Sequence, residues 1–121
     1  MITINQIFKD VLTTSRHVKD NYPFEAKLAK LTEEHGEFST AIQIERGHLP
    51  HKTASESSFG EAADMMIVIL DVLRSHHSDL DDESIIEEIM VQLGLKNNKW
   101  RRVIERNYAA EVASQLPDNI Q

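Results

Sequence analysis

The 121-residue chain has no cysteine, so disulfides and thiolate metal sites are both excluded. Four glycines and three prolines leave few places where the backbone can turn sharply. Aromatic residues make up 6% and tryptophan occurs once, which limits base-stacking surfaces. Positive charge is also scarce: 13 Lys and Arg stand against 20 Asp and Glu, a formal net charge of −7. Generic binding to nucleic acid or to an anionic membrane needs a basic surface, so neither is expected as a partner. No apolar run approaches the roughly 18–20 residues of a membrane span, and the longest, Met65 to Leu70, reads as core helix. The N-terminus lacks a basic-then-apolar signal pattern, and the expected location is cytoplasmic. No repeat, glycine-rich phosphate loop or zinc-protease signature is present.

What the chain does have is helical periodicity and clustered carboxylates. Its length fits one domain, residues 1–121, and a 40% hydrophobic share fits an ordered, all-α globule. Thr3-x-x-Gln6 has the form of a capping box, and Ile4, Ile7, Phe8, Val11, Leu12 and Val18 follow at helical spacing. A first helix is expected over 3–19, broken at Asn21-Tyr22-Pro23. A second is expected over 23–45, with Leu28, Leu31, His35, Phe38 and Ile42 on one stripe and Lys27, Lys30, Glu34 and Glu37 beside it. The plain account of the charged stripe is a solvated face with Lys30–Glu34 pairing. The functional account makes it a wall of an active site, with Lys30 among the substrate contacts. Residues 47–58 form the one clear loop, and its His48 and His51 lack a partner cluster for a metal.

A third helix is expected from 55–59 to about Ser75. Ser58-x-x-Glu61 is a capping-box match that gives Glu61 an innocent role, whereas Asp64 lies in Ala62-Ala-Asp-Met-Met-Ile-Val-Ile-Leu, a stretch apolar nearly all round. A carboxylate buried there is costly unless paired, protonated or metal-bound. Asp71, two turns on, reads as a surface or supporting residue. His76-His77 reads as exposed at a helix end. Ser84-x-x-Glu87 is expected to open a fourth helix, which Gly94 can kink, and helical propensity resumes to about Gln115. Lys96, Lys99 and Arg102 recur on one face there, either as a cationic helix end or as a polyphosphate clamp. Trp100 reads as core or subunit interface rather than as a stacking platform.

Glu34 and Glu37 share a helix face, as do Glu61 and Asp64. Two helices can therefore aim four carboxylates at one point, and such a set repels itself unless a hard cation such as Mg²⁺ sits in it. Glu33, Glu34-His-Gly-Glu37, then Glu61-Ala-Ala-Asp64, then Asn98-Lys99-Trp-Arg-Arg102 resemble the MazG-like branch of the all-α nucleoside triphosphate pyrophosphatases. That superfamily carries E-x-x-E, a variable gap, then E-x-x-D, and the resemblance covers about residues 27–106. It implies a four-to-five-helix bundle whose core is completed in a homodimer or homotetramer. It implies that Glu34, Glu37, Glu61 and Asp64 bind Mg²⁺ (with Mn²⁺ as a substitute) and that Glu33 assists, as in water activation. Lys99 and Arg102, with Asn98 and Lys96, would contact phosphate. The implied reaction cleaves a standard or modified nucleoside triphosphate between its α- and β-phosphates, giving monophosphate and pyrophosphate. The competing expectation is a non-catalytic acidic helical adaptor, or a nucleotide-binding protein of the same fold. An iron-binding carboxylate bundle is disfavoured: that class uses paired Glu-x-x-His motifs, and only one Glu here, Glu45, has His three residues on, at the edge of the loop.

Overall fold

A computed structural model describes residues 1–18 and 23–115. Among these the chain is all-helical, with α1 at Ile4–His17, α2 at Phe24–Glu45, α3 at Ser58–His76 and α4 at Asp82–Ser114. The expected break at Asn21-Tyr22 lies outside the described residues. The chain divides into two compact units, Met1–Ile86 and Glu87–Gln121.

In the first unit α3 is the central element, packing against both α2 and α1. The expected capping box starts α1: Thr3 Oγ1 accepts from the Gln6 amide at 3.2 Å, and Gln6 Oε1 accepts from the Thr3 amide at 2.8 Å. Pro23 stands at the N-cap of α2, with φ −58°, as a residue that can precede a helix but not continue one. Gly47 ends α2. Its amide donates to Ile44 O and the His48 amide to Gln43 O, a Schellman closure that needs the left-handed φ of +74° found at Gly47.

Two helix starts differ from expectation. Ser57, not Ser58, caps α3, its Oγ accepting from the Gly60 amide at 3.2 Å. The Ser58 amide instead donates to Glu45 Oε1 at 2.8 Å. Glu61 is thereby freed from any capping role. Likewise α4 opens at Asp82, with Asp81 accepting from the Ser84 amide at 2.8 Å, so Asp81 does what was expected of Ser84. In both cases several short polar side chains stand in a row, and tertiary packing selects among them.

Among the described residues the buried apolar ones are Leu12, Ala41, Leu70, Ile85 and Ile86. The expectation that α3 is buried all round is corrected here. Of its large apolar side chains only Leu70 is buried, while Phe59, Met66, Ile67 and Ile69 are exposed. Two neighbouring helices cannot cover every side of a third. Beneath this core runs a polar tie between three helices. Asp71 and Arg74 of α3 both hydrogen-bond Ser15 of α1, and Lys27 of α2 reaches Asp71 Oδ1 at 3.3 Å and Ser75 Oγ at 2.5 Å. Asp71 is thus the hub of a network, the supporting role of the two expected for it. Arg16 to Asp82 (2.6 Å) and Lys9 to Glu83 (2.9 Å) fasten the start of α4 to α1.

In the second unit, α4 continues without interruption through Gly94, so the expected kink does not break the helix. Its described residues from Val91 onward are exposed, Trp100 included. Among the described residues no helix is long and apolar enough to cross a membrane.

Candidate metal centre

The buried line of α2 does not follow its apolar stripe alone. Glu34 and Ala41, seven residues apart, are its buried positions, and the Lys27 side chain, seven before Glu34, is 11% exposed. Leu28 and His35 face solvent instead. The solvated-face account of the charged stripe therefore fails for Glu34, which is 5% exposed. On α3, Glu61 is also 5% exposed, whereas Asp64 is only half-buried. The burial expected of Asp64 belongs to Glu34 and Glu61.

Glu34, Glu61 and Asp64 each bring a carboxylate oxygen within 4.8 Å of the others. Around one Mg²⁺, adjacent ligand oxygens lie about 3 Å apart and opposite ones about 4 Å. The triad is thus spaced for one shared cation after small side-chain movements. Two further observations fit such a cation. Glu34 Oε2 and Glu61 Oε2 are buried with no hydrogen-bond partner among the described residues, an expensive state for a carboxylate. The donor set is all oxygen, the chemistry preferred by Mg²⁺ and Mn²⁺. Lys30 supplies a counter-charge at the rim, with Nζ 3.0 Å from Glu34 Oε1 and 3.6 Å from Glu33 Oε1.

The electrostatics show the same crowding. Burial, together with the charges of Glu37, Glu56, Asp64 and Glu34, pushes the Glu61 carboxyl above the usual carboxylate range. Glu37 is raised too, first by the charge of Glu34, with which it also shares a hydrogen bond. The Lys30 ammonium is raised by its hydrogen bond to Glu34 and by the charges of Glu33 and Glu34.

Glu37 is exposed and stands beside the triad rather than within it. Glu33 is exposed as well. With Glu37, Thr40 and the buried Glu61, it lines a cleft of about 530 Å³ whose other wall is the loop between α2 and α3. Lys96, Asn98, Lys99 and Arg102 lie in the second unit, all exposed, and none of the three cations makes an ion pair among the described residues.

Sequence reasoning missed Glu56. Its carboxyl hydrogen-bonds Asp64, which raises its pKa, and it curls over Gly60, where an added Cβ would lie 3.2 Å from Glu56 Oε2. Glu56, Gly60 and Asp64 are spaced four apart, a signal hidden because Glu56 precedes the helix. Lys52 on the loop wall was missed for a different reason: no periodic pattern marks a loop lysine. His48 and His51 are exposed and outside the acidic triad. Comparison with models of protein families, with curated proteins and with solved structures finds no match to this chain.

Proposed function

We propose that the chain is a divalent-metal-dependent nucleoside triphosphate pyrophosphohydrolase of the MazG-like kind, releasing monophosphate and pyrophosphate. The observation that carries this reading is the pair of orphaned, buried carboxylate oxygens on Glu34 and Glu61, converging with Asp64. A fold that keeps such a pair without a ligand spends stability on nothing. In this reading Glu34, Glu61 and Asp64 hold Mg²⁺ or Mn²⁺. When bound, the ion would lower the pKa of a water and screen the charge of the triphosphate.

The remaining roles fall to other polar side chains. The charge of Glu34, with burial and the charge of Glu33, raises the pKa of Glu37, which brings it closer to the working range of a general base. Glu33, on the same cleft wall, is the second candidate to take a proton from the attacking water. Lys30 keeps Glu34 in place. By the same resemblance Lys96, Lys99 and Arg102, with Asn98, all in the second unit, are assigned to phosphate, where they would offset charge developing on the leaving pyrophosphate. The same reading includes a homodimer or homotetramer, supported by the exposed apolar side chains of α3.

The test is a panel of ribo-, deoxyribo- and modified nucleoside triphosphates with Mg²⁺ and with chelator, the products being resolved. Metal-dependent monophosphate and pyrophosphate are expected. Diphosphate and orthophosphate would put the cleaved bond elsewhere. Binding of a nucleotide without turnover would replace the enzyme by a nucleotide-binding protein.

A further inference from the structure

The loop between α2 and α3 is fastened at both ends. At its start the Schellman closure at Gly47 sets the exit direction. Leu49-Pro50-His51-Lys52 then forms a turn, with the Lys52 amide donating to Leu49 O at 3.0 Å and proline at the position whose φ such turns favour. At its end Glu45 Oε1 of α2 accepts from the Ser58 amide, and Ser57 caps α3. The intervening Lys52, Thr53 and Ser55 line the cleft opposite Glu33 and Glu37, with Glu61 shared between cleft and triad.

Lys52 is the one cation among the residues lining this cleft, and it makes no ion pair among the described residues. Lys30, by contrast, is held by Glu33 and Glu34. A cleft with carboxylates on one wall and an ammonium and two hydroxyls on the other suits neither a bare anion nor a bare cation. It suits a ligand that carries both signs, which a polyphosphate with its divalent cation does. Lysine binds phosphate as a point charge, and hydroxyls can donate to its oxygens.

We propose that Lys52, with Thr53 and Ser55, is the contact by which the loop holds the phosphates of a metal-chelated polyphosphate against the acidic wall. This places a phosphate contact on the loop, and it rests on reading Glu34, Glu61 and Asp64 as a metal centre.

The test is calorimetric titration of the full chain with Mn²⁺ alone, then with inorganic pyrophosphate at saturating Mn²⁺, for wild type, Lys52→Met and Lys52→Arg. Loss of one charge-assisted contact should weaken pyrophosphate binding about tenfold or more in Lys52→Met. Lys52→Arg should stay close to wild type, and all three proteins should bind Mn²⁺ alike and melt alike. Unchanged pyrophosphate affinity in Lys52→Met overturns the proposal, as does a loss of Mn²⁺ affinity equal to the loss for pyrophosphate. Wild type that binds Mn²⁺ but not pyrophosphate overturns it while leaving the metal centre standing. Wild type that binds no Mn²⁺ overturns the metal centre and this proposal with it.

Discussion

Glu61 sits 5% exposed among Glu34, Glu37, Glu56 and Asp64, with an oxygen that no described group satisfies. Burial and its acidic neighbours raise its pKa above the ordinary 4.5. In the metal-free protein the folded state therefore holds that proton to higher pH than the unfolded state does. Well below 4.5 both states are protonated and the group contributes no penalty. As pH rises through the raised folded value the proton is lost and the fold is destabilised. Glu61→Gln should accordingly raise the melting temperature of the metal-free protein at pH 8, by an amount that vanishes as pH falls toward 4.5. It should also abolish the rise in melting temperature that Mn²⁺ gives the wild type. Scanning calorimetry of both proteins with chelator and with Mn²⁺ reads both effects, and equal melting at pH 8 would mean that Glu61 carries no such strain. At this scale the site was legible in part. The spacing of Glu34, Glu61 and Asp64 was visible because helix periodicity fixes which residues share a face. Burial was not visible, because it depends on which way α2 turns toward α3, and that choice moved the desolvation from Asp64 to Glu34 and Glu61.

At the scale of the element, helix ends were readable wherever the signal was local. Thr3-x-x-Gln6 forms its box, and α2 ends at Glu45 because Gly47 supplies the one positive φ among the described residues. The starts of α3 and α4 were misplaced where Ser55 to Ser58 and Asp79 to Ser84 offer several capping side chains in succession. The polar tie among α1, α2 and α3 was not legible at all. Ser15, Lys27 and Asp71 lie far apart in sequence, and each alone reads as an ordinary surface residue. In the fold Asp71 takes up Ser15, Lys27 and Arg74, and the Lys27 and Arg74 side chains are 11% and 8% exposed. Removing the anion leaves two mostly buried cations short of one counter-charge, a change that commonly costs several kcal/mol. Both cations keep other partners, so Asp71→Ala should cost about 2 kcal/mol, near the low end for such losses. Urea unfolding should show this, while Mn²⁺ binding by the folded variant stays as in wild type. A variant as stable as wild type would mean that the network orders these helices without stabilising them.

At the scale of the molecule, the question is what covers α3. Among its described residues the first unit buries five apolar side chains, a small core for its length. Phe59 is 87% exposed and Met66, seven residues on along the same stripe, is 57% exposed, with Ile67 and Ile69 flanking. The sequence makes α3 apolar nearly all round, which is the pattern of a helix with neighbours on every side. Among the described residues of the first unit, α3 packs against two, α1 and α2. Water is a poor third neighbour for phenylalanine and methionine, since apolar area left exposed forgoes roughly 25 cal/mol per Å². A second copy of the chain offers the same surface to itself about a two-fold axis, the commonest solution for a soluble homo-oligomer. Light scattering on the eluting protein should therefore give two or four times 13.8 kDa. Met66→Arg, which places a charge in the middle of the stripe without touching the carboxylate triad, should shift the protein toward 13.8 kDa while its helical content persists. If metal-dependent turnover falls together with mass, the site depends on the partner copy. If turnover survives in the monomer, one chain suffices for catalysis. Wild type eluting at 13.8 kDa would remove the oligomer and leave the apolar face of α3 to a different neighbour.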